Sequence, residues 1–99
     1  MRPIHVARLD KKRPVLILTR ELVRPHLTRV TVAPITATVR GMSTEVPVGP
    51  RNGIDKDSVV SLDNIVTISV AALGHQIGFL LPDQESALTT AIRNAFDLD

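Results

Sequence analysis

The stretch that decides the fold runs from Arg29 to Thr36 and reads Arg29-Val30-Thr31-Val32-Ala33-Pro34-Ile35-Thr36. Its side chains follow the alternating pattern of a strand, and many of them are β-branched and so pack well on the pleated surface of a sheet. Pro34 has no N–H to donate to a neighbouring strand, so it belongs at a bulge or at a sheet edge. The stretch therefore predicts a strand that bends at Pro34 and re-aims Thr36.

The residues on either side predict further short strands. The apolar run from Val15 to Leu18 is too continuous for a half-exposed strand and indicates burial on both faces. Arg20 to Thr28 is expected to form a loop or a short turn, and Gly49 to Gly53 is the strongest turn signal in the chain. The predicted strands span residues 4–9, 14–19, 29–36, 44–48, 58–62, 64–70 and 73–80.

After Pro82 the apolar period changes to that of a helix. Pro82 suits the first helical turn, and Asp83 and Glu85 favour its positive end. The buried stripe of this helix is predicted to consist of Leu88, Ala91, Ile92, Ala95 and Phe96. With Phe96 in the core, Phe96→Ala should destabilise the chain severely. Many short strands followed by one amphipathic helix predict a mainly β fold, a small, partly open barrel with a C-terminal α-helix.

Length and composition set broad limits. The 99 residues predict a single domain, residues 1–99, because a chain of this size buries only about 60 to 65% of its unfolded surface. The apolar runs are far shorter than the roughly 20 residues of a membrane span, and no secretory signal is visible, so a cytoplasmic protein without a membrane association is expected. The absence of cysteine excludes disulfides, thiolate zinc sites and cysteine nucleophiles.

The charge is distributed unevenly along the chain. Residues 1–51 hold ten Lys and Arg against three acidic residues, whereas residues 52–99 hold two against seven. A basic half suits a surface for a polyanion, although basic residues also solvate strand edges and loops, and charge alone does not separate the two interpretations.

Motifs for several chemistries are missing. The sequence has no GxGxxG, GxxxxGK[ST], HExxH or GxSxG, and its three histidines are too scattered for a recognisable metal spacing. We therefore expect no metal and no cofactor. With two Phe and no Trp or Tyr, the chain also lacks the aromatic side chains on which many RNA-binding surfaces stack bases. Any nucleic acid must be held by cations and hydrogen bonds.

Three polar residues at strand ends could supply metal-free RNA cleavage. Arg13 precedes a buried strand, and its planar fork could bind a phosphorane or, alternatively, be a solvated charge. Thr36 could donate to the same phosphate or pair with a backbone group near Pro34. Asp63 could act as a base, orient Arg13 or cap a turn.

Five short blocks of the sequence, taken in order, resemble those of the MazF/PemK family of bacterial toxin endoribonucleases. The resemblance rests on Arg13-Pro14, Pro34-Ile35-Thr36, Arg40-Gly41, Ser58-Val59-Val60 with Asp63-Asn64, and Ile77-Gly78-Phe79-Leu80. It spans nearly the whole chain. It implies a homodimer of small SH3-like barrels that cleaves single-stranded RNA at short sequences without metal, and a cognate MazE-like antitoxin whose flexible, acidic C-terminal segment occupies the RNA groove.

The resemblance also assigns roles to residues of this chain. Arg13, Thr36 and Asp63 would be catalytic, and the RNA path would be lined by Lys11, Lys12, Arg40, Ser61 and Asn64. Ser61 stands where some relatives have an Arg proposed as general acid, so Arg13, Arg40 or water would have to supply that proton. The recognised sequence does not transfer, because the Asp10-Lys11-Lys12 connection is shorter than the usual loop.

Two other functions fit the same resemblance or charge pattern. One is a toxin of the same fold that poisons a protein target such as gyrase, but that branch uses a C-terminal Trp and this chain has none. The other is a noncatalytic barrel that binds structured RNA through its basic half.

Overall fold

Seven short strands form one curled antiparallel sheet, and a helix follows the last strand, so the predicted mainly β, partly open barrel with a C-terminal helix is confirmed. The computed structural model describes residues 1–99. The strands are β1 (Arg2–Arg8), β2 (Lys12–Ile17), β3 (Arg29–Thr36), β4 (Glu45–Val48), β5 (Ser58–Ser61), β6 (Val66–Ser69) and β7 (Leu73–Leu80), and the helix is α1 (Glu85–Ala95). Their spatial order is β4-β5-β3-β2-β1-β7, and β6 pairs with β3. The strand boundaries agree with the predicted ones to within two residues.

Strand β3 changes partner halfway along its length. Residues 29–32 pair with β6, whereas Ile35 and Thr36 pair with β5. Pro34 falls between the two pairings and so needs no N–H on that side, which confirms its prediction at an irregularity of the sheet. The short 3-10 turn Leu62–Asn64 connects β5 to β6 and brings Asp63 beside this gap.

Both faces of the sheet bury apolar side chains. Leu16 of β2 belongs to a core of twelve buried residues that the helix covers with Leu88 and Ala91. Its neighbours Val15 and Ile17 point to the opposite face, where they form a second cluster with Ala7, Val30 and Val32. The prediction from the continuous apolar run, burial on both faces, is therefore confirmed.

The helix is one turn shorter at its start than the Pro82 signal suggests, because Pro82–Gln84 form a 3-10 turn. Leu88 and Ala91 are buried, but Phe96 is 57% exposed, so its predicted core position is wrong. The helix ends at Ala95, and the backbone of Phe96 leaves the helical conformation (φ −110°, ψ 9°). The ring therefore does not extend the buried stripe. This helix of eleven residues is too short to cross a membrane, and no other α-helix occurs in the chain.

The predicted turn at Gly49 to Gly53 closes the sheet against β7. Its fourth residue, Asn52, is buried, and the side-chain amide donates to the carbonyl of Phe79 (2.9 Å) and to Oε1 of Gln84 (2.7 Å). Gly53 has a φ of +82° and, like Gly78 of β7, lies so close to the facing backbone that a Cβ would overlap a carbonyl oxygen. Two backbones are thus in direct contact where the turn meets the strand.

Candidate active site

A cleft of about 580 Å³ opens where the β1–β2 turn, the end of β3 and the turn after β5 meet. Leu9 and Met42 are its only aliphatic side chains apart from the ring of Pro34. The remaining lining is polar or charged. The twelve lining residues are Leu9, Asp10, Arg13, Pro34, Thr36, Thr38, Arg40, Met42, Glu45, Ser61, Asp63 and Asn64.

The cleft contains six of the eight site residues that the sequence suggested. The three candidate catalytic residues all line it, together with Arg40, Ser61 and Asn64. Lys11 and Lys12 do not. Lys12 is the first residue of β2, and successive side chains of a strand point to opposite faces, so the strand that directs Arg13 into the cleft directs Lys12 away from it. Lys11 lies in the tight turn before it.

Arg13 is held by Asp10. Its Nε and Nη2 atoms each lie 3.2 Å from one carboxylate oxygen of Asp10, in a two-pronged ion pair across the β1–β2 turn. The side chain of Arg13 is 25% exposed and that of Asp10 is 72% exposed, so Arg13 is packed while its partner faces solvent. The hydrogen bonds from Arg13 lower the pKa of the Asp10 carboxyl below its ordinary value. The side chain of Arg13 is thus oriented by Asp10, and no hydrogen bond joins it to Asp63.

Thr36 lies at the end of β3, just beyond the gap in pairing. Its hydroxyl oxygen accepts a hydrogen bond from the backbone N–H of Thr38 at 3.1 Å. This contact matches one of the two interpretations of Thr36, a pairing with nearby backbone. It uses only the oxygen as acceptor, so the hydroxyl hydrogen is free to point into the cleft.

Asp63 is fixed from outside the cleft. Its Oδ2 accepts a hydrogen bond of 2.5 Å from the hydroxyl of Thr44, which is itself buried, while Oδ1 has no hydrogen bond within the chain. Next to it, the amide nitrogen of Asn64 donates to Oγ of Ser61 at 2.8 Å. Asp63 thus presents one open acceptor to the cleft from a rigid 3-10 turn.

Glu45 was missed by the sequence reasoning. Both of its carboxylate oxygens accept from the backbone N–H of Arg40 at 3.3 Å, and Oε1 also accepts from the N–H of Met42 at 3.1 Å. No periodicity reveals a carboxylate that folds back on its own loop. Asp10 was overlooked as well, although its position three residues before Arg13 across a short turn was a usable signal.

The half-barrel fold is matched by known proteins. The chain belongs to the family of PemK-like, MazF-like toxins of type II toxin-antitoxin systems, whose sequence profile matches residues 4–96. It is 71% identical over 99 residues to the endoribonuclease MazF3 of Mycobacterium tuberculosis strain CDC 1551, covering 100% of this chain and 96% of that protein. It is 39% identical over 87 residues to the probable endoribonuclease MazF5 of M. tuberculosis strain H37Rv, covering 87% and 80%.

Solved structures agree with this assignment. The M. tuberculosis toxin MazF-mt6 superposes with a TM-score of 0.97 at 70% identity, covering 98% of each chain. An endoribonuclease from a mycobacterial species, solved in complex with its cognate antitoxin, superposes with a TM-score of 0.87 at 26% identity, covering 98% of this chain and 93% of that one. The fold predicted from the family resemblance is thereby confirmed.

Proposed function

We propose that this chain is a sequence-selective endoribonuclease toxin that cleaves single-stranded RNA, with Arg13, Thr36 and Asp63 at the scissile phosphate. Two relatives named as endoribonucleases align with most or all of the chain. The observation that carries the proposal is one cleft in which a fixed guanidinium, a hydroxyl and a carboxylate with a free oxygen meet. Transfer of the phosphoryl group to a 2′-hydroxyl requires a base for the hydroxyl proton, hydrogen-bond donors or a cation for the charged phosphoryl oxygens, and a proton for the leaving 5′-oxygen, and these three groups can supply the first two.

The reaction follows from these groups. The 2′-oxygen attacks the adjacent phosphorus while Oδ1 of Asp63 takes the 2′-hydroxyl proton, and negative charge develops on the equatorial phosphoryl oxygens. Arg13 stabilises this charge through its fork, and Thr36 donates its hydroxyl hydrogen to the same phosphate. The bond to the 5′-oxygen then breaks, which leaves a 2′,3′-cyclic phosphate on one product and a 5′-hydroxyl on the other.

Protonation of the 5′-oxygen is the step for which the cleft offers no ordinary acid. Ser61 occupies the neighbourhood of Asp63, and a guanidinium does not release its proton in a protein. We propose that Arg40 or Arg13 donates a hydrogen bond to the leaving oxygen and that water supplies the proton. No step uses a metal ion.

The carboxylates in the cleft do not prevent an anionic substrate from binding. Asp10 is paired with Arg13, Glu45 receives backbone N–H groups, and Asp63 receives the hydroxyl of Thr44. Each negative charge is therefore partly compensated by donors already in place. Lys11 and Lys12 do not line the cleft, but as exposed residues of the adjacent β1–β2 turn they add positive charge that would attract the flanking RNA backbone.

We propose that two copies associate through the face of the sheet that carries the second cluster. Ile68 of β6 packs against that cluster, and Val66, two residues earlier in the same strand, lies on the same face, while Val70 follows in the 3-10 turn after β6. Val66 and Val70 are 40% and 39% exposed. Exposed apolar side chains beside a buried cluster suit a surface that pairs with another copy.

A cognate antitoxin with an acidic C-terminal segment would block the cleft by binding Arg13 and Arg40 in place of RNA. A structural relative solved with its cognate antitoxin supports such a partner. The chain would act in the cytoplasm, where its substrate is found.

The test is cleavage of total RNA by the purified protein in the presence of EDTA, with the ends of the fragments mapped. Discrete cuts with 2′,3′-cyclic phosphate and 5′-hydroxyl ends are expected. Arg13→Ala should lower the rate about 100- to 1000-fold, the effect of losing one oxyanion donor. Arg20→Ala is the matched control, because Arg20 is exposed and has no ion pair or side-chain hydrogen bond. A folded Arg13→Ala protein that cuts at the wild-type rate would disprove the assignment.

Retention of RNA without cuts would instead indicate a noncatalytic RNA-binding barrel. A protein that neither binds nor cuts RNA would instead be expected to act on a protein target.

A further inference from the structure

The loop between β3 and β4, residues 37–44, carries two exposed apolar side chains. Val39 is 58% exposed and Met42 is 52% exposed. Only Met42 lines the cleft, whereas Val39 lies in a separate depression beside β4 and β5. The loop thus places one apolar side chain against the RNA path and one matched side chain away from it.

An apolar side chain in this position is informative because the chain has no Trp or Tyr. A single-stranded RNA brings nucleobases as well as phosphates into the cleft, and proteins usually hold unstacked bases against aromatic rings. Leu9 and Met42 are the only aliphatic side chains available for this purpose besides Pro34. The thioether of Met is polarisable and adapts to a flat aromatic surface.

The backbone around Met42 is fixed rather than loose. Gly41 adopts a left-handed φ of +73°, which turns the N–H groups of Arg40 and Met42 toward the same point. Successive backbone N–H groups arranged in this way form a small concavity that binds an anion. Here the anion is the carboxylate of Glu45, and the N–H of Glu45 in turn donates to the carbonyl of Met42 at 3.1 Å.

We propose that Met42 is a specificity-determining residue that packs against the nucleobase next to the scissile phosphate, and that Glu45 is the positioning residue that holds it there. The inference rests on the proposed RNA cleavage. Thr38 and Arg40 lie in the same cleft and provide hydrogen-bond donors for the edge of that base. Met42 supplies contact area, so the base it selects is the one whose ring best fills the space between its side chain and the phosphate site.

The experiment measures kcat/KM for the preferred short RNA sequence, found by cleaving a randomised pool, and for oligonucleotides changed at one position each. Met42→Ala should reduce discrimination about three- to tenfold at one position beside the cut and leave the other positions unchanged. Met42→Leu, which keeps most of the apolar area, should restore much of it. Val39→Ala is the matched control and should leave all ratios unchanged.

Glu45→Gln tests the positioning role. Glutamine keeps one acceptor oxygen but replaces the other with an N–H₂ group and removes the negative charge, so the loop is held more weakly and selectivity should relax at the same position as in Met42→Ala. Combining the two changes should add little to either alone, because both act on one contact. A purely structural role of Glu45 would instead lower the melting temperature and the rate on every RNA sequence equally.

The outcomes separate the two proposals. A wild-type protein that cuts no RNA overturns the proposed function and this inference together. A wild-type protein that cuts RNA, with discrimination unchanged in folded Met42→Ala, overturns the inference about Met42 alone.

Discussion

The buried amide of Asn52 should be a major source of stability, and Asn52→Ala tests this. The side chain is 1% exposed and its oxygen accepts from the backbone N–H of Gly49 at 3.1 Å, while its nitrogen donates to the carbonyl of Phe79 and to Gln84. Alanine would leave the N–H of Gly49 without a partner in a buried position and would remove the link between turn and β7. An unsatisfied buried group costs about 1 to 3 kcal/mol.

Two backbone groups and the paired side chain of Gln84 lose their partner, so the expected loss of unfolding free energy is about 2 to 4 kcal/mol. For a chain of this size a loss of about 3 kcal/mol lowers Tm by roughly 12 to 24 °C. Urea unfolding followed by far-UV circular dichroism is the suitable measurement, because the chain has no Trp or Tyr to report by fluorescence.

Asn94→Ala is the matched control. Asn94 is exposed and makes one side-chain hydrogen bond, to the carbonyl of Ser43 at 3.1 Å, so its removal should change the free energy of unfolding by about 0.5 kcal/mol or less. If Asn52→Ala costs no more than this control, the buried amide network does not stabilise the fold and the reasoning is refuted.

Three further changes test other parts of the molecule. In an NMR titration the pKa of the Asp10 carboxyl should lie below its ordinary value of 3.8. In Arg13→Ala this pKa should return toward the ordinary value, and an unshifted pKa in the wild type would contradict the ion pair. Because the folded pKa is lowered, the stability that the pair contributes is present at neutral pH and lost as the pH falls through the folded pKa. Phe96→Ala should cost only about 1 kcal/mol in urea unfolding, since the ring is more than half exposed; a loss above about 3 kcal/mol would place it in a core. Val66→Glu should shift the sedimentation of the protein toward the monomer, whereas Leu22→Glu, at a side chain that is 87% exposed, should not; equal behaviour of the two would exclude the β6 face.

The strands were predictable because their signals are local. The alternation around Val32, the buried run at Leu16 and the turn residues at Gly53 each act over a few positions, and the resulting elements agree with the sheet. Phe96 was not predictable in the same way. Its spacing continues the helical stripe, but a hydrophobic period does not show where the helix ends. The last residue of such a pattern is therefore the one most often placed wrongly.

The candidate site shows the same difference between what local sequence signals reveal and what they do not. Arg13, Thr36 and Asp63 follow or precede apolar runs, so their positions at strand ends could be inferred and the sheet brings them to one cleft. Their partners could not be inferred. That Asp10 rather than Asp63 holds Arg13, and that Glu45 binds the loop before it, depends on loop conformations that no repeating pattern encodes.

The order of the strands also determines when the fold can be completed during synthesis. All residues of the cleft lie between positions 9 and 64, but β1 obtains its second neighbour only when β7 has been made, some seventy residues later. Until then β1 is an open edge, and the turn at Gly53 has no strand to close against. A ribosome-bound chain would therefore carry every proposed catalytic residue before β7 has covered the open edge of β1 and closed the turn at Gly53.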